Sequence, residues 1–234
     1  LLTQLASLER RKEWRKITAS PKFELVKHKT DIEKLWDSLP FELTGAQRRA
    51  LDDIFKDVAT STPMNRLLQG DVGSGKTVVA ALLSYLSVLN GYQVALMAPT
   101  EILATQHFAT FNKLLEPLGI KCELITGSST KRKEKTEKNL NASRFPLTAN
   151  ILIGTHALLH KKDEFQNLGL VIIDEQQRFG VEQRSILRDK GQNPHFLTMT
   201  ATPIPRTVLL TVYGDLDVSY LDEMPKGRQI IKTW

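Results

Sequence analysis

The chain has 234 residues, 41% of them hydrophobic and 25% charged, with a formal net charge of +6. That balance belongs to a folded globule long enough to bury a sizeable core, and no apolar run approaches the roughly 20 residues that span a bilayer. Residues 1–20 carry charges throughout, unlike a secretory signal, and the single Cys122 cannot form an internal disulfide, so a cytoplasmic protein without a membrane partner is expected.

The chain opens with Leu1, Leu5 and Leu8 at helical spacing, followed by the basic stretch Glu9 to Lys16, which predicts a surface helix. Thr18 to Lys29 is polar, contains Ser20-Pro21 and reads as a linker. A short helix is predicted from Asp31 to Leu39, stopping before Pro40. Another is predicted to start behind Thr44 as its N-cap and to run to Ala59. From there strand-like apolar runs recur at 66–69, 93–98, 121–126, 150–154, 170–173 and 195–199. The connections of 10–30 residues between them imply crossovers, hence a mostly parallel sheet with helices on both faces.

The excess of positive charge is local. Residues 1–40 hold nine Lys or Arg against six Asp or Glu, and residues 121–144 hold seven against three, around Lys131-Arg132-Lys133-Glu134-Lys135. Such runs read first as solvated faces and second as an auxiliary contact with nucleic acid.

Gly70-Asp71-Val72-Gly73-Ser74-Gly75-Lys76-Thr77 fits G-x-x-x-x-G-K-[ST] in full, between a predicted strand and the apolar helix Val78–Leu89. Gly70, Gly73, Ser74 and Gly75 let backbone amides curl around phosphate oxygens at the positive end of that helix. Lys76 can reach the β- and γ-phosphates of ATP, and the Thr77 hydroxyl can ligate Mg²⁺. About 100 residues on, Leu170-Val171-Ile172-Ile173 has the unbroken apolar character of a strand buried on both faces. It delivers Asp174 and Glu175 at its carboxyl end, where open α/β sheets bind their ligands. Asp174 suits Mg²⁺ held through water, and Glu175 suits polarisation of a water attacking the γ-phosphate. His156 and His160 are four apart, but no Glu follows the first, so the pair lacks the pattern of a metal-binding helix. Trp14, Trp36 and Trp234 read as packing residues.

Asp174-Glu175-Gln176, Arg178 to Arg184 and Thr200-Ala201-Thr202-Pro203-Ile204-Pro205-Arg206-Thr207 resemble superfamily 2 helicases and translocases. Together with Gly70–Thr77, Ala98-Pro99-Thr100-Glu101, Gly154-Thr155-His156 and Tyr213-Gly214-Asp215-Leu216-Asp217, they are similar to the RecG family of ATP-dependent DNA helicases across residues 35–234. The resemblance implies a RecA-like P-loop domain over 35–234, preceded by a helical leader, residues 1–34, from an upstream wedge domain. It implies that Phe41, Thr44 and Gln47 contact the adenine. It also implies that Pro99, Thr100, Gln106, Gly127, Gly154, Thr155 and His156 lie along DNA, and that Thr200 and Thr202 couple hydrolysis to movement. The whole protein would act on forks and Holliday junctions in repair and recombination. Its second RecA-like lobe would supply an arginine finger, so residues 1–234 alone are expected to hydrolyse ATP poorly. A transcription-repair coupling translocase and a nucleotide-gated binding module are the alternatives. One departure stands out: the family's strand-end motif finishes with His, and this chain has Gln177. An amide donates and accepts hydrogen bonds as neutral imidazole does, so the departure bears on coupling rather than on hydrolysis at Glu175.

Overall fold

The computed structural model describes residues 19–127, 150–160, 165–175, 193–203 and 216–225. Over these residues each predicted apolar run forms a strand: β1 (Asn65–Gly70), β2 (Gln93–Met97), β3 (Cys122–Ile125), β4 (Ile151–Gly154), β5 (Leu168–Asp174) and β6 (His195–Thr200). A seventh, β7 (Asp217–Leu221), lies in a stretch whose apolar residues alternate with polar ones. The helices are α1 (Lys29–Asp37), α2 (Gly45–Val58), α3 (Lys76–Leu89), α4 (Glu101–Leu115) and the single turn α5 (Ala157–His160).

The strands form one sheet in the order β3-β4-β2-β5-β6-β1-β7, and every adjacent pair is parallel. β5 is buried at all seven positions, as its apolar run requires. Side chains alternate across the sheet, so the strands from β2 to β6 feed two cores. Val94, Leu96, Ile172 and Leu197 face the larger core, with Leu51, Ile54, Leu83 and Phe111 from α2, α3 and α4. Ala95, Met97, Val171, Ile173 and Phe196 face the smaller one, with Leu158 and Phe165. α3 is apolar nearly all round because it packs against α1, α2 and α4 as well as the sheet.

β7 closes one edge through a polar cluster. The Arg66 guanidinium, 9% exposed, donates to Asp57 at 2.8 Å and to Ser219 Oγ at 2.9 Å, and Ser219 in turn donates to Asp53 at 3.1 Å. One cation thereby joins β1, β7 and α2. On the exposed side Arg49 pairs with Asp222 and Glu223 just beyond β7.

The stretch read as a linker departs from that reading where it is described. Phe23 is 1% exposed, stacks on Tyr92 with centroids 5.5 Å apart, and meets the His195 ring edge-on at 4.9 Å. The Ser20 and Phe23 amides bond to the carbonyls of Ser61 and Val58. Aromatic burial, which a polar average conceals, turns residues 19–28 into a strap across the amino ends of the strands. Residues 1–18, and with them the predicted surface helix, lie outside the described residues.

His195 pins this strap. Its Nδ1 accepts from the Met64 amide at 3.0 Å, so Nε2 carries the hydrogen and donates to the Pro21 carbonyl. Complete burial depresses its pKa to about 4, against which the Pro21 carbonyl acts in part. The unfolded chain takes up this proton near pH 6.5, so between pH 6.5 and 4 it binds more protons than the folded form and stability falls with pH. Urea unfolding at pH 7 and pH 4.5 should show a loss of about 2–3 kcal/mol beyond that of a His195→Gln variant.

Candidate active site

The phosphate loop follows β1 and turns directly into α3. Gly73 and Gly75 have φ of 85° and 89°, a region that L side chains rarely adopt. A Cβ on Gly75 would also run into the Gln47 amide. The requirement for glycine here is therefore both conformational and steric.

Gln47 explains how the loop is braced. Thr44 caps α2 by accepting from the Gln47 amide at 3.2 Å, while Gln47 Oε1 accepts from the Thr44 amide at 2.9 Å, a reciprocal capping box. The same side chain donates from Nε2 to the Ser74 carbonyl at 2.7 Å and is 1% exposed. Of the adenine-contact residues implied by the resemblance, Gln47 is thus committed to the loop backbone, and Phe41 is the exposed apolar surface, at 40%.

Lys76 donates to the carbonyls of Gly70 at 2.6 Å and Asp71 at 2.9 Å, which holds its ammonium at the mouth of the loop. Partial burial lowers its pKa, opposed by the charges of Asp174, Glu175 and Asp71. Ser74 Oγ is buried without a hydrogen-bond partner, an available polar group inside the loop. Thr77 opens α3 in the same turn. A hydroxyl, a carboxylate, loop amides and a lysine form the hard-oxygen and anion-binding set that suits a Mg²⁺–nucleotide.

The strand order brings the second motif alongside. β6 lies between β5 and β1, so its carboxyl end separates Asp174–Glu175 from the loop. Glu175 has φ of 53°, an uncommon backbone for a residue with a Cβ. Its amide bonds to the Met199 carbonyl at 2.9 Å, and its Oε1 accepts from the Ala201 amide at 3.2 Å. The carboxylate expected to orient water is therefore tied to the Thr200–Thr202 segment, where Thr200 Oγ1 accepts from the Thr202 amide at 3.1 Å. Asp174 is 8% exposed and bonded to His107 at 2.8 Å. His107 escaped the sequence reading. The available signal was its place in the α4 stripe Ala104, His107, Phe111 and Leu115, where an imidazole among apolar residues requires a buried partner.

The residues expected to lie along DNA gather at the carboxyl ends of β2, β4 and β3, which are neighbours in the sheet. Thr100 caps α4 by accepting from the Leu103 amide at 3.2 Å, and Gln106 lies exposed on the same helix. Gly127 lies beside Glu101, and the Thr155 amide bonds to the Ile125 carbonyl at 3.3 Å. Pro99 precedes the Thr100 cap, and His156 is exposed just beyond β4. A Cβ on Gly154 would strike the Ile125 carbonyl, so glycine permits the close approach of β3 and β4 there. Gln177 lies outside the described residues, as do Arg178 to Arg184 and Ile204 to Thr207.

A P-loop on a parallel sheet, an acidic strand end and an intervening Thr-Ala-Thr segment define a nucleotide-dependent motor domain. The model of the DEAD/DEAH box helicase family matches residues 44–210, and the chain belongs to that family. Among individual proteins it is similar to the ATP-dependent DNA helicase RecG of Aquifex aeolicus, 50% identical over 99% of this chain and 29% of the relative. The RecG helicase of Bacillus subtilis is 52% identical over 87% of this chain and 30% of its own length. A solved structure of RecG bound to a three-way DNA junction superimposes with a TM-score of 0.77 and 44% identity, over 97% of this chain and 30% of that one. The chain thus spans about 30% of the relatives it matches.

Removing the Gln47 brace should weaken both fold and loop. Gln47→Ala is expected to lower stability by about 1–3 kcal/mol in urea unfolding, through loss of the cap and an unsatisfied Ser74 carbonyl. It should also weaken binding of a fluorescent ATP analogue several-fold.

Proposed function

We propose that this chain is the ATP-binding motor lobe of a RecG-type DNA helicase, which couples ATP hydrolysis to movement on branched duplex DNA, including forks and Holliday junctions. The observation that carries the reading is the division of one sheet edge. Lys76, Asp174, Glu175 and Ala201 meet at the ends of β1, β5 and β6, and Thr100, Gly127 and Thr155 gather at the ends of β2, β3 and β4. The relative bound to a three-way DNA junction supports branched DNA as the substrate.

In this reading the loop amides and Lys76 bind the β- and γ-phosphates, while Phe41 covers the base. Thr77 and Asp174 would hold Mg²⁺, which neutralises charge developing on the phosphates. Glu175 orients a water in line with the γ-phosphate and takes up its proton as the bond from that water to the γ-phosphorus forms and the bond from the γ-phosphorus to the β–γ bridging oxygen breaks, releasing ADP and phosphate. The bond from Glu175 to the Ala201 amide makes the Thr200–Thr202 segment responsive to that event. Movement then follows through the segment and through Gln177, with the rest of the motor supplied by a second RecA-like lobe and substrate recognition by a wedge domain.

Two substitutions test the chemistry in the full-length protein. Lys76→Ala should abolish measurable nucleotide binding, since its ammonium is held at the loop mouth by the Gly70 and Asp71 carbonyls. Glu175→Gln should keep ATP bound but cut DNA-stimulated hydrolysis by about 100-fold or more, as loss of a positioned base does. Wild-type turnover in Glu175→Gln would overturn the mechanism.

A further inference from the structure

Asp174 ends β5, and its carboxylate is held from the side by a different element. His107 reaches across from α4 and places Nε2 2.8 Å from Asp174 Oδ2, with both residues 8% exposed. A carboxylate only accepts, so Nε2 carries the hydrogen and donates. The remaining members of the His107 stripe, Ala104, Phe111 and Leu115, are apolar and fully buried. Replacing both members of a buried polar pair by apolar residues of similar volume is often neutral for a fold, so packing alone does not call for the pair. The imidazole needs a different reason.

The geometry points to His107 as a positioning residue for the metal: it fixes the rotamer of Asp174 and occupies one carboxylate oxygen, so that the other would serve Mg²⁺. This inference rests on the reading of Asp174 as the metal carboxylate. Partners of this kind, which orient a ligand without touching the metal, change metal affinity by about 10–100-fold when removed. A role in packing alone would instead lower stability and leave the metal requirement untouched.

The test uses the full-length protein and a fluorescent non-hydrolysable ATP analogue titrated with Mg²⁺. His107→Leu should raise the Mg²⁺ concentration for half-maximal binding by about tenfold or more. Binding measured in EDTA should stay within about twofold of wild type. His107→Gln, whose amide can still donate, should recover most of the loss. If His107→Leu does not fold by circular dichroism, His107→Met takes its place in the comparison. A wild-type Mg²⁺ requirement in the apolar variant would overturn the inference, as would equal weakening with and without metal. Asp174→Ala separates the two levels. If Asp174→Ala loses its metal dependence while His107→Leu behaves as wild type, the inference alone falls. If Asp174→Ala keeps a wild-type metal dependence, the metal-site reading falls and the inference with it.

Discussion

Because all seven strands run the same way, each of them ends at the same edge, and side chains far apart in sequence arrive there together. The constraint is topological as well as directional. β6 lies between β5 and β1, which sets the Ala201 amide within reach of Glu175 and leaves the phosphate loop on the other side. Had β5 paired with β1 directly, the same motifs would lie side by side with no Thr-Ala-Thr segment between them. The order of strands therefore places Thr200–Thr202, rather than the phosphate loop, next to Glu175.

The groups at this edge are held by contacts that cost something to form. Glu175 adopts a positive φ, a conformation worth about 1–3 kcal/mol of strain, and two hydrogen bonds to β6 and its end hold it there. Gln47 is a buried amide whose oxygen and nitrogen are both engaged, so it braces the loop without an unsatisfied group of its own. Two turns of α4 run from the Thr100 cap to His107, about 10 Å along the axis, and join the β2 end of the edge to Asp174. Both halves of the edge are thus braced by helices from one face of the sheet.

Strands buried on both faces were legible because they are unbroken apolar runs. β5 is the clearest, and its Asp174–Glu175 ending followed from the run itself. The Thr44 cap was legible too, since its Thr-x-x-Gln spacing is local. What escaped depends on distant partners. β7 alternates at an edge, and its buried Ser219 is explained only by Arg66 from β1. His107 takes its meaning from a carboxylate 67 residues away. The strap at residues 19–28 looks like a linker because its deep aromatic anchor, Phe23, stands between the exposed Lys22 and Glu24. The strand order itself is written nowhere in local sequence.

That strap has a mechanical consequence. Ser20 donates to the Asn193 carbonyl, Asn193 donates to the Ala19 carbonyl, and His195 grips the Pro21 carbonyl. All of these anchors lie at the amino end of β6, whose far end is Thr200. Six residues of strand span about 20 Å and resist stretching, because ladders on both sides share the load. Residues 19–21 are therefore anchored to the start of β6, the strand whose other end is Thr200, next to the Ala201 amide bonded to Glu175. Residue 19 and the Glu175 carboxylate are thus tied to opposite ends of one strand.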